Sequence, residues 1–169
     1  MYLYLVRHGE AKPKEQDPER PLTERGSETV RRVAALMGGM RLSVGGIHHS
    51  TKLRARQTAE ILAAGSGAVV PVTQVPNLEP QADVDELAES LSAATTDLML
   101  VGHLPHLDRL ASRLVSGDAG VKSSRSPSAG CSACTGDRRA RVGRVDRPGR
   151  LAGCSIRVRF PEPRQTCWP

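Results

Sequence analysis

The chain predicts an α/β fold, a three-layer sandwich with a mostly parallel central sheet covered by helices on both faces. Three observations lead there. Short apolar runs alternate with stretches of helical period between residues 2 and 114. The runs at residues 2–6 and 98–101 are apolar at every position, as strands buried on both faces are. His8 and His103 stand just beyond the ends of these two runs, although 95 positions separate them. In open α/β sheets ligands bind beyond the carboxyl ends of the strands, so both histidines are expected on one rim.

Each element follows in order. The first strand stops at Arg7-His8-Gly9-Glu10-Ala11, and a polar, Pro-containing loop runs to Pro21. Thr23 is placed to cap a helix, because its hydroxyl can accept an orphan backbone N–H. Val30, Val33, Ala34 and Met37 then recur at i, i+3, i+4 and i+7, and Gly38-Gly39 ends that helix. Residues 44–49 predict a weaker strand interrupted by two glycines, and residues 53–64 a second helix stopped by Gly65. Residues 69–75 are β-branched and strand-like despite Pro71. Val84, Leu87, Ala88 and Leu91 give a third helical stripe, and residues 98–101 a fourth strand. Pro105 suits the first turn of a fourth helix, whose stripe is Leu107, Leu110, Ala111 and Leu114. His48 and His49 are expected as strand-end residues lining the rim, and His106 on a helix surface.

Composition divides the chain. The 169 residues carry 24 Lys+Arg and 18 Asp+Glu. Residues 1–117 hold 13 basic and 14 acidic side chains, whereas residues 118–169 hold 11 and 4. All four cysteines (Cys131, Cys134, Cys154, Cys167), the single Trp and the single Phe lie in the second part. The apolar run at the N-terminus ends at Arg7, too early for a secretory signal, and no stretch approaches the roughly 20 apolar residues that span a membrane. A cytoplasmic protein without a membrane partner is the expectation.

The motifs are more specific than the pattern. Arg7-His8-Gly9-Glu10-Ala11 is followed by Asp17, by Arg20-Pro21-Leu22-Thr23 and by Gly26. Ser50, Leu53-Arg54-Ala55 and Gln57-Thr58-Ala59 come next, and Val101-Gly102-His103 with Pro105 closes the series. In this order the blocks resemble the histidine phosphatase superfamily, whose fold is phosphoglycerate mutase-like. Within it they resemble the small SixA-type phosphohistidine phosphatases, because Ala follows Arg-His-Gly-Glu and because of the Arg-Pro-Leu-Thr segment. The resemblance spans residues 1–115 and implies a histidine phosphatase domain over residues 1–117.

The residue types suit the chemistry. A phosphoryl transition state spreads charge over three equatorial oxygens, so catalysis rests on positive donors arranged around them. Arg7 and Arg54 are planar forks that each can hold two phosphate oxygens, and His103 adds a donor. Neutral His8 has a lone pair for attack on phosphorus, giving a phosphohistidine that water then hydrolyses. The resemblance assigns catalysis to Arg7, His8, Arg54 and His103, substrate binding to Arg7, Arg54 and His103, and implies neither metal nor cofactor.

Glu79, in Asn77-Leu78-Glu79-Pro80, is the candidate proton donor for the leaving group, with a solvated loop glutamate as the alternative. A phosphohistidine leaves as imidazole, of reference pKa about 6.5, and depends far less on an acid than an alkoxide does. A weak acid signal therefore favours a P–N substrate. Lys12, Lys14, Glu15, Asp17, Glu19 and Arg20 form a charged loop that is either solvated or in contact with a protein substrate.

Residues 118–169 break the pattern. Residues 121–150 are rich in Ser, Arg, Gly and Pro without helical or strand period, and only residues 155–160 alternate like a strand. The tail reads as disordered, as nucleic-acid-binding, or as an out-of-frame version of the C-terminus, the last being favoured because core strands are due there. Few aromatics argue against nucleic acid, and the irregular cysteine spacing argues against zinc. The expected function is a monomeric phosphohistidine phosphatase whose partner is a phosphorylated histidine of a signalling or phosphotransfer protein. The alternatives are a small-molecule phosphatase of the same superfamily and an inactive phosphate- or nucleic-acid-binding protein.

Overall fold

The computed structural model describes residues 1–116 except 41, 67 and 68, and the backbone of residues 141–144 and 155–159. The elements are β1 (Tyr2–Arg7), α1 (Glu24–Gly39), β2 (Gly46–His49), α2 (Leu53–Gly65), β3 (Val72–Gln74), a 3-10 turn at Pro76–Leu78, α3 (Val84–Ser92), β4 (Leu98–Gly102), α4 (His106–Ser116), β5 (Arg141–Arg144) and β6 (Ser155–Arg159). The strands lie in the order β3-β2-β4-β1-β6-β5. β1, β2, β3 and β4 run parallel, while β6 pairs antiparallel with β1 and β5 antiparallel with β6.

Alternation along β1 divides the core. Tyr4 and Val6 face Val30, Ala34 and Met37 of α1 and Ala55, Ala59 and Leu62 of α2. Leu3 and Leu5 face the opposite layer, with Val84, Leu87 and Leu91 of α3 and Leu107, Leu110 and Ala111 of α4. A strand buried on both faces has no solvent side to keep polar, which explains the unbroken apolar run. The mostly parallel three-layer sandwich is as the sequence predicts.

Local signals explain most boundaries. Thr23 caps α1 as expected, its Oγ1 accepting from Gly26 N at 2.9 Å. Asp83 caps α3 in the same way through Asp85 N. β3 is shorter than its β-branched run, because Pro71 cannot donate to the ladder and serves only as acceptor for Ile47 N at 2.9 Å.

β6 occupies the stretch whose alternation predicts a strand. β5 lies where no strand period is visible; ladder bonds join backbones, so pairing does not require side-chain alternation. The reading of residues 118–169 as a disordered or out-of-frame tail otherwise falls outside the described residues, as do all four cysteines. Among the described residues no helix is long and apolar enough to cross a membrane.

Candidate active site

Register brings the site together. β1 pairs with β4 so that Arg7 lies opposite Gly102, and β2 pairs with β4 so that His49 lies opposite Val101. Three parallel strands thus end at one level. His8 N donates to Gly102 O at 3.1 Å and Ser50 N to Val101 O at 3.1 Å. His8, Ser50 and His103 are therefore neighbours on one rim, and α2 starts three residues after Ser50 with Arg54 in its first turn.

His8 is held in one tautomer. Its Nδ1 lies 2.7 Å from Gly9 O, and a carbonyl only accepts, so the proton sits on Nδ1 and the lone pair on Nε2. That lone pair accepts from Arg54 Nε at 3.2 Å. Burial lowers the His8 pKa to about 4, against a raising contribution from the Gly9 bond, and the charges of Arg54, Arg7 and Arg20 lower it further. The imidazole is neutral at neutral pH.

His103 is 2% exposed, and its ring stands 4.9 Å from that of His8 at a tilt of 58°. Burial, followed by the proximity of His8 and Arg54, lowers its pKa to about 3. Its Nε2 meets Ser50 Oγ at 2.8 Å and its Nδ1 meets Arg54 Nη2 at 3.4 Å. A guanidinium only donates, so His103 Nδ1 accepts from Arg54 and its proton sits on Nε2, which donates to Ser50 Oγ. Arg7 is exposed at the end of β1, near enough to lower the pKa of His8 by its charge.

The loop that carries His8 is anchored by residues the motif contains and to which the sequence reading gave no role. Thr58 Oγ1 accepts from Gly9 N at 3.1 Å while donating to Arg54 O at 2.7 Å, so one hydroxyl ties the His8 loop to the helix turn of Arg54. Gln57 Oε1 accepts from Leu22 N at 2.8 Å. Gly9 has no room for a Cβ, which would come within 2.8 Å of Val30 Cγ2. At Gly26 a Cβ would collide with the backbone of Glu10. The order of the motif blocks was the available signal; the partners depend on contacts 35 to 49 residues apart.

Glu79 reaches the same side of the sheet. Its Oε1 accepts from Thr51 Oγ1, one residue beyond Ser50. Among the described residues its side chain bonds none of Arg7, His8, Arg54 or His103. His49 ends β2 at 4% exposure, its Nδ1 bonded to Ser50 O at 2.8 Å, while His48 is half-buried one position earlier. The expectation for His106 needs correction. It is fully buried, not on the helix surface. It precedes Leu110 by four residues and so shares that residue's inward face. The same period that marks the apolar stripe of α4 would have placed it inside.

Sequence and fold both match known proteins. A model of the histidine phosphatase superfamily (branch 1) matches residues 3–82. An uncharacterized protein of Picosynechococcus sp. is 38% identical over 128 residues, 71% of this chain and 76% of that protein. The chain belongs to the histidine phosphatase superfamily. Within the superfamily its likeness is to SixA-type members. Phosphohistidine phosphatase SixA of Escherichia coli K12 is 28% identical over 123 residues, 70% of this chain and 76% of that one. A solved structure of the protein histidine phosphatase SixA complexed with tungstate matches with a TM-score of 0.64 at 28% identity, covering 70% of this chain and 79% of that one. The fold extends to a phosphoglycerate mutase from Plasmodium falciparum, with a TM-score of 0.54 at 19% identity over 68% of this chain and 69% of that one. Superfamily and SixA likeness together support a phosphatase.

Proposed function

We propose that the protein is a metal-independent phosphohistidine phosphatase of the cytoplasm, acting on a phosphorylated histidine of a signalling or phosphotransfer protein through a covalent phospho-His8 intermediate. The observation that carries this reading is the neutral His8 ring, its Nε2 lone pair directed at the Arg54 fork at 3.2 Å with His103 alongside. The tungstate complex of a SixA supports it, because tungstate is a tetrahedral oxyanion like phosphate.

The chemistry follows from these atoms. An entering phosphoryl group draws the Arg54 donors to its oxygens and frees the Nε2 lone pair. Arg7 supplies the second fork, so two guanidinium charges balance the dianion. His8 Nε2 attacks phosphorus, a P–Nε2 bond forms, and the bond to the substrate's imidazole nitrogen breaks. The departing imidazole takes a proton from solvent or from Glu79. Water then attacks phosphorus and gives up a proton to solvent or back to Glu79, the P–Nε2 bond breaks, and phosphate leaves with His8 neutral again. When a phosphoryl oxygen takes the place of Arg54 at His103 Nδ1, the ring changes tautomer by exchange with solvent, Nε2 losing its proton and Nδ1 gaining one, and Ser50 turns its hydroxyl to donate to Nε2.

Hydrolysis of a phosphohistidine peptide, a sugar phosphate and an aryl phosphate by the wild type and His8→Ala tests the reading. The peptide should be the best substrate, and His8→Ala should lose about 10³-fold or more in kcat/KM. Faster turnover of the sugar phosphate would make this a small-molecule phosphatase. Absence of turnover with retained phosphate binding would make it a binding protein.

A further inference from the structure

The partner of each rim histidine decides what its ring can do. His8 Nδ1 and His49 Nδ1 both face backbone carbonyls, Gly9 O at 2.7 Å and Ser50 O at 2.8 Å. A carbonyl only accepts, so each of these rings is held in one tautomer. His103 differs. Its Nε2 faces the Ser50 hydroxyl at 2.8 Å, and a hydroxyl donates as well as accepts.

The setting of Ser50 leaves the hydroxyl free to turn and little else. Ser50 and His103 are both buried. Ser50 N donates to Val101 O at 3.1 Å, and Ser50 O holds the His49 ring, so the backbone is fixed on both sides of the side chain. Lys52 N reaches Ser50 Oγ at 3.4 Å. An oxygen with two lone pairs and one proton can accept from Lys52 N and His103 Nε2 together. It can also keep the first bond and turn its proton toward Nε2.

The site needs that reversal. Arg54 spans both rings, with Nε 3.2 Å from His8 Nε2 and Nη2 3.4 Å from His103 Nδ1. When a phosphoryl group draws these donors away, the two histidines meet opposite demands. His8 must offer a lone pair to phosphorus, and Gly9 keeps it in the tautomer that does so. His103 must offer a proton to oxygen, since its Nδ1 lone pair would repel one. Burial, followed by the proximity of His8 and Arg54, opposes the imidazolium form. A ring flip would put carbon in place of Nε2 against Ser50 and orphan a buried hydroxyl. A change of tautomer meets every demand.

We infer that Ser50 is a positioning residue that switches His103 from acceptor to donor. Its hydroxyl accepts from Nε2–H while Arg54 occupies Nδ1, and donates to Nε2 once a phosphoryl oxygen occupies Nδ1. One proton leaves Nε2 and one is taken up at Nδ1, both by exchange with solvent, so the ring is neutral in both states. This rests on the phosphoryl-binding reading of the pocket and adds the residue that lets His103 serve it.

Heteronuclear NMR with isotope-labelled histidine reads the tautomer directly. His103 should carry its proton on Nε2 in the free protein and on Nδ1 with saturating inorganic phosphate, while His8 keeps Nδ1–H in the free protein. In calorimetric titration Ser50→Ala should bind phosphate about tenfold more weakly. Ser50→Cys, whose S–H is a weak donor, should lie between. In a His103→Ala background the Ser50→Ala loss should shrink to about twofold or less, which a merely structural serine would not show. An unchanged His103 tautomer, an imidazolium in the phosphate complex, or a full Ser50→Ala loss without His103 would each overturn the inference. The wild-type spectra decide even if Ser50→Ala fails to fold. Reversal on phosphate binding without hydrolysis of any substrate would defeat the phosphatase reading and leave this one intact, whereas turnover through His8 with His103 fixed in one tautomer would defeat this one alone.

Discussion

The layer of α1 and α2 mixes small side chains with larger ones and carries the hydrogen bonds to the His8 loop, whereas the layer of α3 and α4 is built mostly from leucines. In the first, Ala34, Ala55 and Ala59 are buried, and a Cβ on Gly65 would strike Ala34, so the two helices approach closely. α2 also bonds Gly9 and Leu22 of the segment after His8 through Thr58 and Gln57, and presents Arg54 to the His8 ring. In the second layer Leu87, Leu91, Leu107 and Leu110 pack against Leu3, Leu5, Leu78 and Leu100. The difference separates two tasks. Flexible leucines fill volume and tolerate small shifts, but a nucleophile needs sub-ångström placement, which short side chains and directional bonds supply. Damage to the leucine layer should therefore appear in stability, and damage to the α2 contacts in activity.

The largest expected effect tests the leucine side. Leu110 is fully buried, and Leu110→Ala should cost about 2–5 kcal/mol in urea unfolding, with kcat/KM nearly unchanged wherever the protein is folded. A fall in kcat/KM matching that of an α2 variant would break the division. On the other side, Thr58→Val keeps the shape and removes the hydroxyl that joins Gly9 N to Arg54 O. It should cost about 1–3 kcal/mol for the unpaired groups and lower kcat/KM about tenfold or more through misplacement of His8. Equal or smaller activity loss than in Leu110→Ala would refute the role given to α2.

The smallest effect concerns pH. His8 and His103 have pKa values near 4 and 3 in the folded protein against 6.5 in the open chain. As pH falls through 6.5 the unfolded chain takes up protons that the folded protein does not, so stability declines between about pH 6.5 and 3 and levels off below the folded values. The acid limb of kcat/KM should lie near pH 4 and not near 6.5, because His8 must be neutral to attack. Leu110→Ala should leave that limb in place, while Thr58→Val, by loosening the Gly9 bond and the burial of His8, should move it. A limb near 6.5 in the wild type would show that burial does not control His8.

Much of the architecture was legible in the residues. The all-apolar run of β1 announced burial on both faces, Thr23 marked the start of α1, and the Val84/Leu87/Leu91 stripe marked α3. The positions of His8 and His103 after two such runs suggested a common rim. Less was legible at the level of single side chains. His106 looked like a surface residue although its spacing from Leu110 places it inward. β5 was invisible because backbone pairing needs no side-chain period. Glu79 was expected at the rim, and its partner Thr51 could not be read from either segment alone.

The sequence by itself determined the strand and helix order from β1 to α4, the superfamily likeness and the histidine and arginine set, because periodicity, caps and motif blocks are encoded locally. Tertiary structure alone decided that His8 carries its proton on Nδ1, that His103 meets Ser50, that Thr58 links Gly9 to Arg54, and that Arg20 takes a left-handed backbone conformation. Those outcomes depend on which carbonyl, hydroxyl or charge stands opposite each group across the rim, and residues up to 53 positions apart supply them.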